Sequence, residues 1–263
     1  MFNGYNIKAI FSFFFKAGIR SKRARWFFIV SLIPAVIFII VHIVDLLNPG
    51  RSLSISSLFA QVGGVFYYQL FIQFLCLFYG SSVLNDEVDN KTLVYLTTSP
   101  VSKGSILAGK FLAHWLISAI IIVSGLVIAF VLSNFSNLLK ADYLQKLGIF
   151  VGVALLAISA YSSLFTFLGT FLKKSILVGL FFIFGWEAIV QFFPGTTQKL
   201  TITHYIKSLL PARFSGTNSI LAFHLQPSSA AESIITLLLI TVFFLAFSTF
   251  LFYKKEYTLS EQV

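Results

Sequence analysis

The sequence predicts an all-α integral membrane protein with six transmembrane helices, an N-terminal amphipathic interfacial helix and a short helix in a cytoplasmic loop. Three observations predict it. The 263 residues are 57% hydrophobic and only 11% charged, whereas a soluble domain has about a quarter of its residues charged. Six apolar segments come near the ~20 residues that cross the hydrocarbon of a bilayer. The 19 Lys and Arg residues gather at the ends of those segments, as the positive-inside rule requires.

Taken in order, residues 1–26 form the interfacial segment. Ile7, Ile10, Phe11, Phe14 and Ile19 recur at helical spacing, with Lys8, Lys16, Arg20, Lys22, Arg23 and Arg25 among them. An apolar stripe beside cations suits a helix lying in the headgroup plane. The spans are expected at 27–47, 58–84, 111–133, 147–172, 176–193 and 233–253. Their unbroken apolar runs lack the alternation of a membrane barrel. With the N-terminus in the cytoplasm, 13 Lys and Arg fall inside and six outside, so both termini are expected in the cytoplasm of a multi-pass protein of the cell (inner) membrane. A loop at 194–232 then lies outside, with a short interfacial helix expected before Pro211. The whole chain reads as one membrane domain, and its long first apolar run is not a cleavable signal peptide.

The formal net charge of +10 does not point to nucleic acid, because the cations flank apolar runs. One cysteine, Cys76, cannot build a disulfide framework within the chain, and no Cys/His spacing suits a metal.

The cytoplasmic loop 85–110 is the most informative segment. It sets Asp86, Glu87 and Asp89 beside Val88, Leu93 and Leu96, and breaks at Ser99-Pro100. Proline forces the preceding residue out of the helical region and suits the first turn of a new helix. An acidic face would be repelled by anionic lipid, so it suits a protein partner. The alternative is an ordinary solvated connector.

This loop resembles the coupling segment of the ABC-2 type transport permeases, the membrane subunits of ATP-driven exporters. The resemblance rests on Glu87, Thr92-Leu93, Leu96, Ser99-Pro100-Val101-Ser102-Lys103, Ile106-Leu107 and Gly109-Lys110. The family has glycine where this chain has Lys91. The resemblance implies a permease with no catalytic centre, in which the loop forms a coupling helix and Asp86, Glu87, Asp89, Thr92, Leu93, Leu96 and Pro100 contact the ATPase. It also implies two copies of a separate cytoplasmic ATPase, a second permease subunit (the same or a homologue), and ATP with Mg²⁺ on the ATPase and no cofactor on this chain.

Other candidates come from the residues themselves. Residues 104–110 approach a P-loop but end on Phe111 where Ser or Thr is needed for Mg²⁺. Ser82 and His114 raise an intramembrane protease; a lipid-modifying enzyme or an ATPase-independent channel or scaffold are further alternatives. Gln61, Tyr68, Gln69 and Gln73 share a polar arc with Cys76 and Gly80 on the second span, which either lines a pathway or packs against another helix. Glu187, in the fifth span, must face protein or water, or be protonated. The transported substrate is not legible.

Overall fold

The computed structural model describes residues 4–47, 59–89, 102–134, 141–172, 174–191, 193, 196–211 and 227–254. Among them every regular element is helical. Helix α1 is Gly4–Ile19, α2 Lys22–Ser31 and α3 Ile33–Leu47. Helix α4 is π-wound over Phe59–Phe71 and α-helical over Ile72–Asp89. Helix α5 is Lys103–Ser133, α6 Ala141–Phe171 and α7 the run Ser175–Val190, with a π-wound turn at Phe182–Glu187. Helix α8 is Ile202–Leu209 and α9 Ala230–Lys254.

Five of these are long and apolar enough to cross a membrane: Lys22–Leu47, Val62–Val83, Lys103–Ser133, Asp142–Phe171 and Ala230–Lys254. The remaining expected span, the fifth in order at 176–193, is shorter than its sequence suggests, because regular helix stops at Val190. Its 16 residues cover about 24 Å at 1.5 Å per residue, less than a ~30 Å hydrocarbon core.

The first span begins earlier than expected. Ser21 has extended backbone and its hydroxyl accepts from the Ala24 amide at 3.1 Å. That N-cap starts α2 at Lys22, so Lys22, Arg23 and Arg25 belong to the spanning helix and not to the interfacial one. The third span is also longer than expected. Ser102 caps it at Ser105, which places residues 103–110 of the loop inside α5. Nor do Asp86, Glu87 and Asp89 open a separate surface helix. With no helix breaker after Leu84, the backbone of α4 continues to Asp89. Thr92, Leu93, Leu96 and Pro100 lie outside the described residues.

Helix α6 is central and packs against α4, α5, α7 and α9. Small residues allow the closest approaches. A Cβ on Gly80 would stand 2.8 Å from Phe165 Cβ, and one on Gly169 would stand 2.8 Å from the Ser81 carbonyl oxygen. Helices α4 and α6 therefore touch backbone to backbone, as lipid-embedded helices do where burial from water offers no driving force. Gly125 of α5 meets Ser31 in the same way, with 2.7 Å from a Cβ to the Ser31 oxygen. At one end of the bundle Phe38, Phe59, Phe130 and Phe150 join α3, α4, α5 and α6 with ring centroids 5.3–5.8 Å apart. The other end, called the basic end below, gathers the starts of α2 and α5 and the end of α9, where the Gly104 amide donates to the Tyr253 hydroxyl.

Helix α1 does not lie in the interface on its own. It packs along the first half of α5, where Gly109 and Gly18 give room: a Cβ on either would meet Ile10 at 2.8 Å or Ile117 at 2.5 Å.

Two outcomes are expected. Gly80→Val overpacks the α4–α6 seam against backbone and should cost about 1–3 kcal/mol, read as a lower melting temperature in detergent. In a Cys76→Ser background, single cysteines at 140 and 199 should react with an impermeant thiol reagent in intact cells, and those at 90 and 258 should not. Lys199 serves for this purpose because its side chain is 44% exposed, whereas Tyr205 is buried. Labelling at 90 or 258 overturns the topology.

Candidate functional site

Two polar clusters stand out among the described residues. The first is built around α8. A helix leaves its first four N–H groups without intrahelical partners, and α8 begins among buried residues: Ile202, Thr203, His204 and Ile206 are all 5% exposed or less. The helix expected in this stretch of chain as an interfacial element is therefore tucked into the bundle. Each of its four leading donors is paired. The Thr201 amide donates to the Gln198 carbonyl at 3.1 Å. Those of Ile202 and Thr203 donate to Glu187 Oε1 at 3.0 Å and Oε2 at 3.2 Å. That of His204 donates to Thr201 Oγ1 at 3.3 Å. A carboxylate here also meets the positive end of the helix dipole.

Three more side chains close this cluster. The Gln73 amide donates to the Tyr161 hydroxyl at 2.8 Å and to Thr203 Oγ1 at 3.0 Å, and the two hydroxyls are 2.8 Å apart. All four side chains are at most 2% exposed. They come from α4, α6, α7 and α8. Further along, Lys207 Nζ donates to Gln191 Oε1 at 2.6 Å and the Gln191 amide donates to the Glu187 carbonyl at 2.7 Å, tying α8 to the end of α7.

Of the residues singled out in the sequence, Gln73 and Glu187 thus meet through Thr203. Tyr68 points elsewhere along the same seam and donates to the Phe150 carbonyl at 2.7 Å. Gln69 is half-buried, and the side chain of Gln61 lies outside the described residues. Cys76 approaches the Ile158 carbonyl at 3.8 Å, so the arc is turned toward α6 at Tyr68, Gln73, Cys76 and Gly80. Tyr161, Thr201 and Thr203 were not singled out. Hydroxyls in apolar runs carry no signal in a single sequence, although the Thr201-Ile202-Thr203 alternation before an apolar stretch is an N-cap pattern.

The second site is the neck of the 85–110 loop, at the basic end. Lys110 is 2% exposed. Its ammonium donates to the Val83 carbonyl at 3.0 Å and stands 4.5 Å from the centre of the Phe14 ring. One turn on, His114 Nδ1 is 2.8 Å from the Tyr79 carbonyl oxygen. Two side chains of α5 therefore hold two carbonyls of α4, with α1 covering one of them. This geometry disposes of the near-motifs. Residues 104–110 are helical, not a glycine turn around phosphate, and Lys110 is committed to protein. Ser82 does lie 3.5 Å from His114 Nδ1. A carbonyl only accepts, so that nitrogen carries its proton toward Tyr79 and cannot take one from Ser82, whose own hydroxyl also donates to Tyr79. The pair lacks the free base that an activated serine needs. Among the described residues no cluster of His, Cys, Asp and Glu could hold a metal.

Apolar helices around a sealed polar cluster, with a loop neck stapled at the basic end, define a polytopic helical membrane protein. A family model described as ABC-2 family transporter protein matches residues 15–257, and the chain belongs to that family. A search of curated proteins found no match.

Glu187→Leu should strand two amide donors at about 1–3 kcal/mol each, whereas Glu187→Gln keeps one acceptor. Melting temperatures in detergent should fall in the order parent, Gln, Leu; an unchanged Leu variant would show that α8 does not depend on this carboxylate.

Proposed function

We propose that the chain is the permease subunit of an ABC-2 type exporter, forming the translocation pathway and coupling to a separate cytoplasmic ATPase. Two ATPase copies and a second permease, identical or homologous, complete the assembly in the cell's inner membrane, with ATP and Mg²⁺ bound by the ATPase and both termini in the cytoplasm. Family membership over 15–257 gives the transport role. The observation that carries the coupling is the neck: the loop resembling the family's coupling segment leaves from α4 and returns through α5 beside Lys110 and His114. A push on residues 86–103 then reaches α4, α5 and α1 together.

The polar arc of the second span acts in this reading as the α4–α6 seam, and the Gln73–Tyr161–Thr203–Glu187 cluster holds α8 against the spans. Neither is a catalytic centre. The enzyme alternatives gain nothing from Ser82 and His114, for the reason given above.

Charge reversal of Glu87 combined with Leu96→Ala should weaken recovery of the ATPase by about 2–5 kcal/mol, the range for a disrupted desolvated contact. It should also uncouple hydrolysis from transport at matched membrane expression. Equal recovery in co-purification, with unchanged hydrolysis, would make the loop a connector.

A further inference from the structure

Where α1 lies along α5 it leaves a groove of about 360 Å³, lined by Ile7, Lys8, Phe11, Leu112, Trp115 and Leu116. We propose that this groove is a binding site for one anionic phospholipid of the leaflet at the basic end, with an acyl chain between the two helices and the phosphate on Lys8.

Depth is the first argument. Helix α5 has 31 residues, about 46 Å at 1.5 Å per residue, whereas about twenty residues cover the hydrocarbon. At the far end, His42 Nε2 is 2.8 Å from the Leu132 carbonyl oxygen and Asn134 follows, so polar chemistry begins there. Counting about twenty residues back from Ser133 reaches the 112–116 turn. The groove therefore sits where acyl chains give way to headgroups. Shape is the second. Five of its six side chains are apolar, and its volume is within the ~300–1,000 Å³ usual for ligand clefts. Leu112 is 43% exposed and Ile120 is 40% exposed. With Leu116 between them at i, i+4 steps, the lining continues as an open stripe toward the bilayer interior, the direction an acyl chain takes. One wall is fixed in place: Trp115 Nε1 donates to Ser159 Oγ of α6 at 3.0 Å, so the indole cannot swing out to fill the space. Charge is the third. Lys8 is exposed at the rim, and the basic end faces the anionic leaflet under the positive-inside rule. A soluble partner arriving from beyond the headgroups would meet Lys8 but would not reach a slot that opens sideways into lipid.

Trp115 reports on its own occupant. In a Trp26→Phe, Trp186→Phe background it is the single tryptophan of the full chain. Reconstitution into vesicles with brominated phosphatidylglycerol or brominated phosphatidylcholine reads the relative association from quenching. Brominated phosphatidylglycerol should be preferred about fivefold, roughly the factor that one basic residue contributes at an anionic lipid surface. Lys8→Glu should abolish the preference and Lys8→Arg should keep it. Lys8 is exposed, and circular dichroism of both variants checks that α1 still folds. Equal quenching by the two lipids overturns the proposal, as does a preference that survives Lys8→Glu. Quenching by neither lipid also overturns it, and cross-linking at the groove then tests whether a second copy of the chain occupies it.

Discussion

A helix that begins inside a membrane protein must pair its leading amides there, because lipid offers them nothing. Helix α8 is held to that constraint, and much of the surrounding architecture answers to it. Glu187 takes the amides of Ile202 and Thr203, which requires α7 to pass beside the start of α8. Thr203 in turn presents its hydroxyl to Gln73 and Tyr161, which fixes the height at which α4 and α6 meet. The glycine contacts at Gly80 and Gly169 then bring those two helices close enough for the hydrogen bonds to form. Polar satisfaction and backbone packing are thus two readings of one geometry.

The basic end obeys a different rule. Helix α5 is longer than the hydrocarbon requires, and its surplus length carries Lys110 and a surface for α1. A lysine so little exposed is rare among proteins. Here the ammonium is solvated by a carbonyl and an aromatic face, while its aliphatic stem fills space between helices. The result is a junction of α1, α4 and α5 at the point where the cytoplasmic loop of the proposed exporter begins and ends.

Much of this was legible in the sequence. At this composition long apolar runs read as membrane helices, so the order of the apolar helices was legible although several of their starts were not. The errors have identifiable causes. Ser21 and Ser102 are N-caps that outweigh the nearby lysines and arginines, so α2 and α5 start well before their apolar residues do. Helix α8 has the apolar pattern of an interfacial helix, and a lipid-facing stripe cannot be told from a protein-facing one by periodicity alone. Glu187 stood out as a carboxylate in an apolar run, but its partners are backbone amides, which no residue type announces. Ser82 and His114 are visible in the sequence as a weak nucleophile and base, but not as a contact. The role of Tyr79, whose carbonyl occupies the histidine proton, is not visible there.

The pairing of Glu187 with α8 also sets an order of events during biosynthesis. Helix α7 is short and carries a carboxylate close to its end, and an ionisable residue within a membrane helix is costly unless it is paired. Its remedy, the amides of Ile202 and Thr203, lies 15 and 16 residues downstream and does not yet exist when α7 leaves the ribosome. The segment is therefore a poor autonomous insertion unit. Its carboxylate is paired only when the chain through Thr203 has folded back against it.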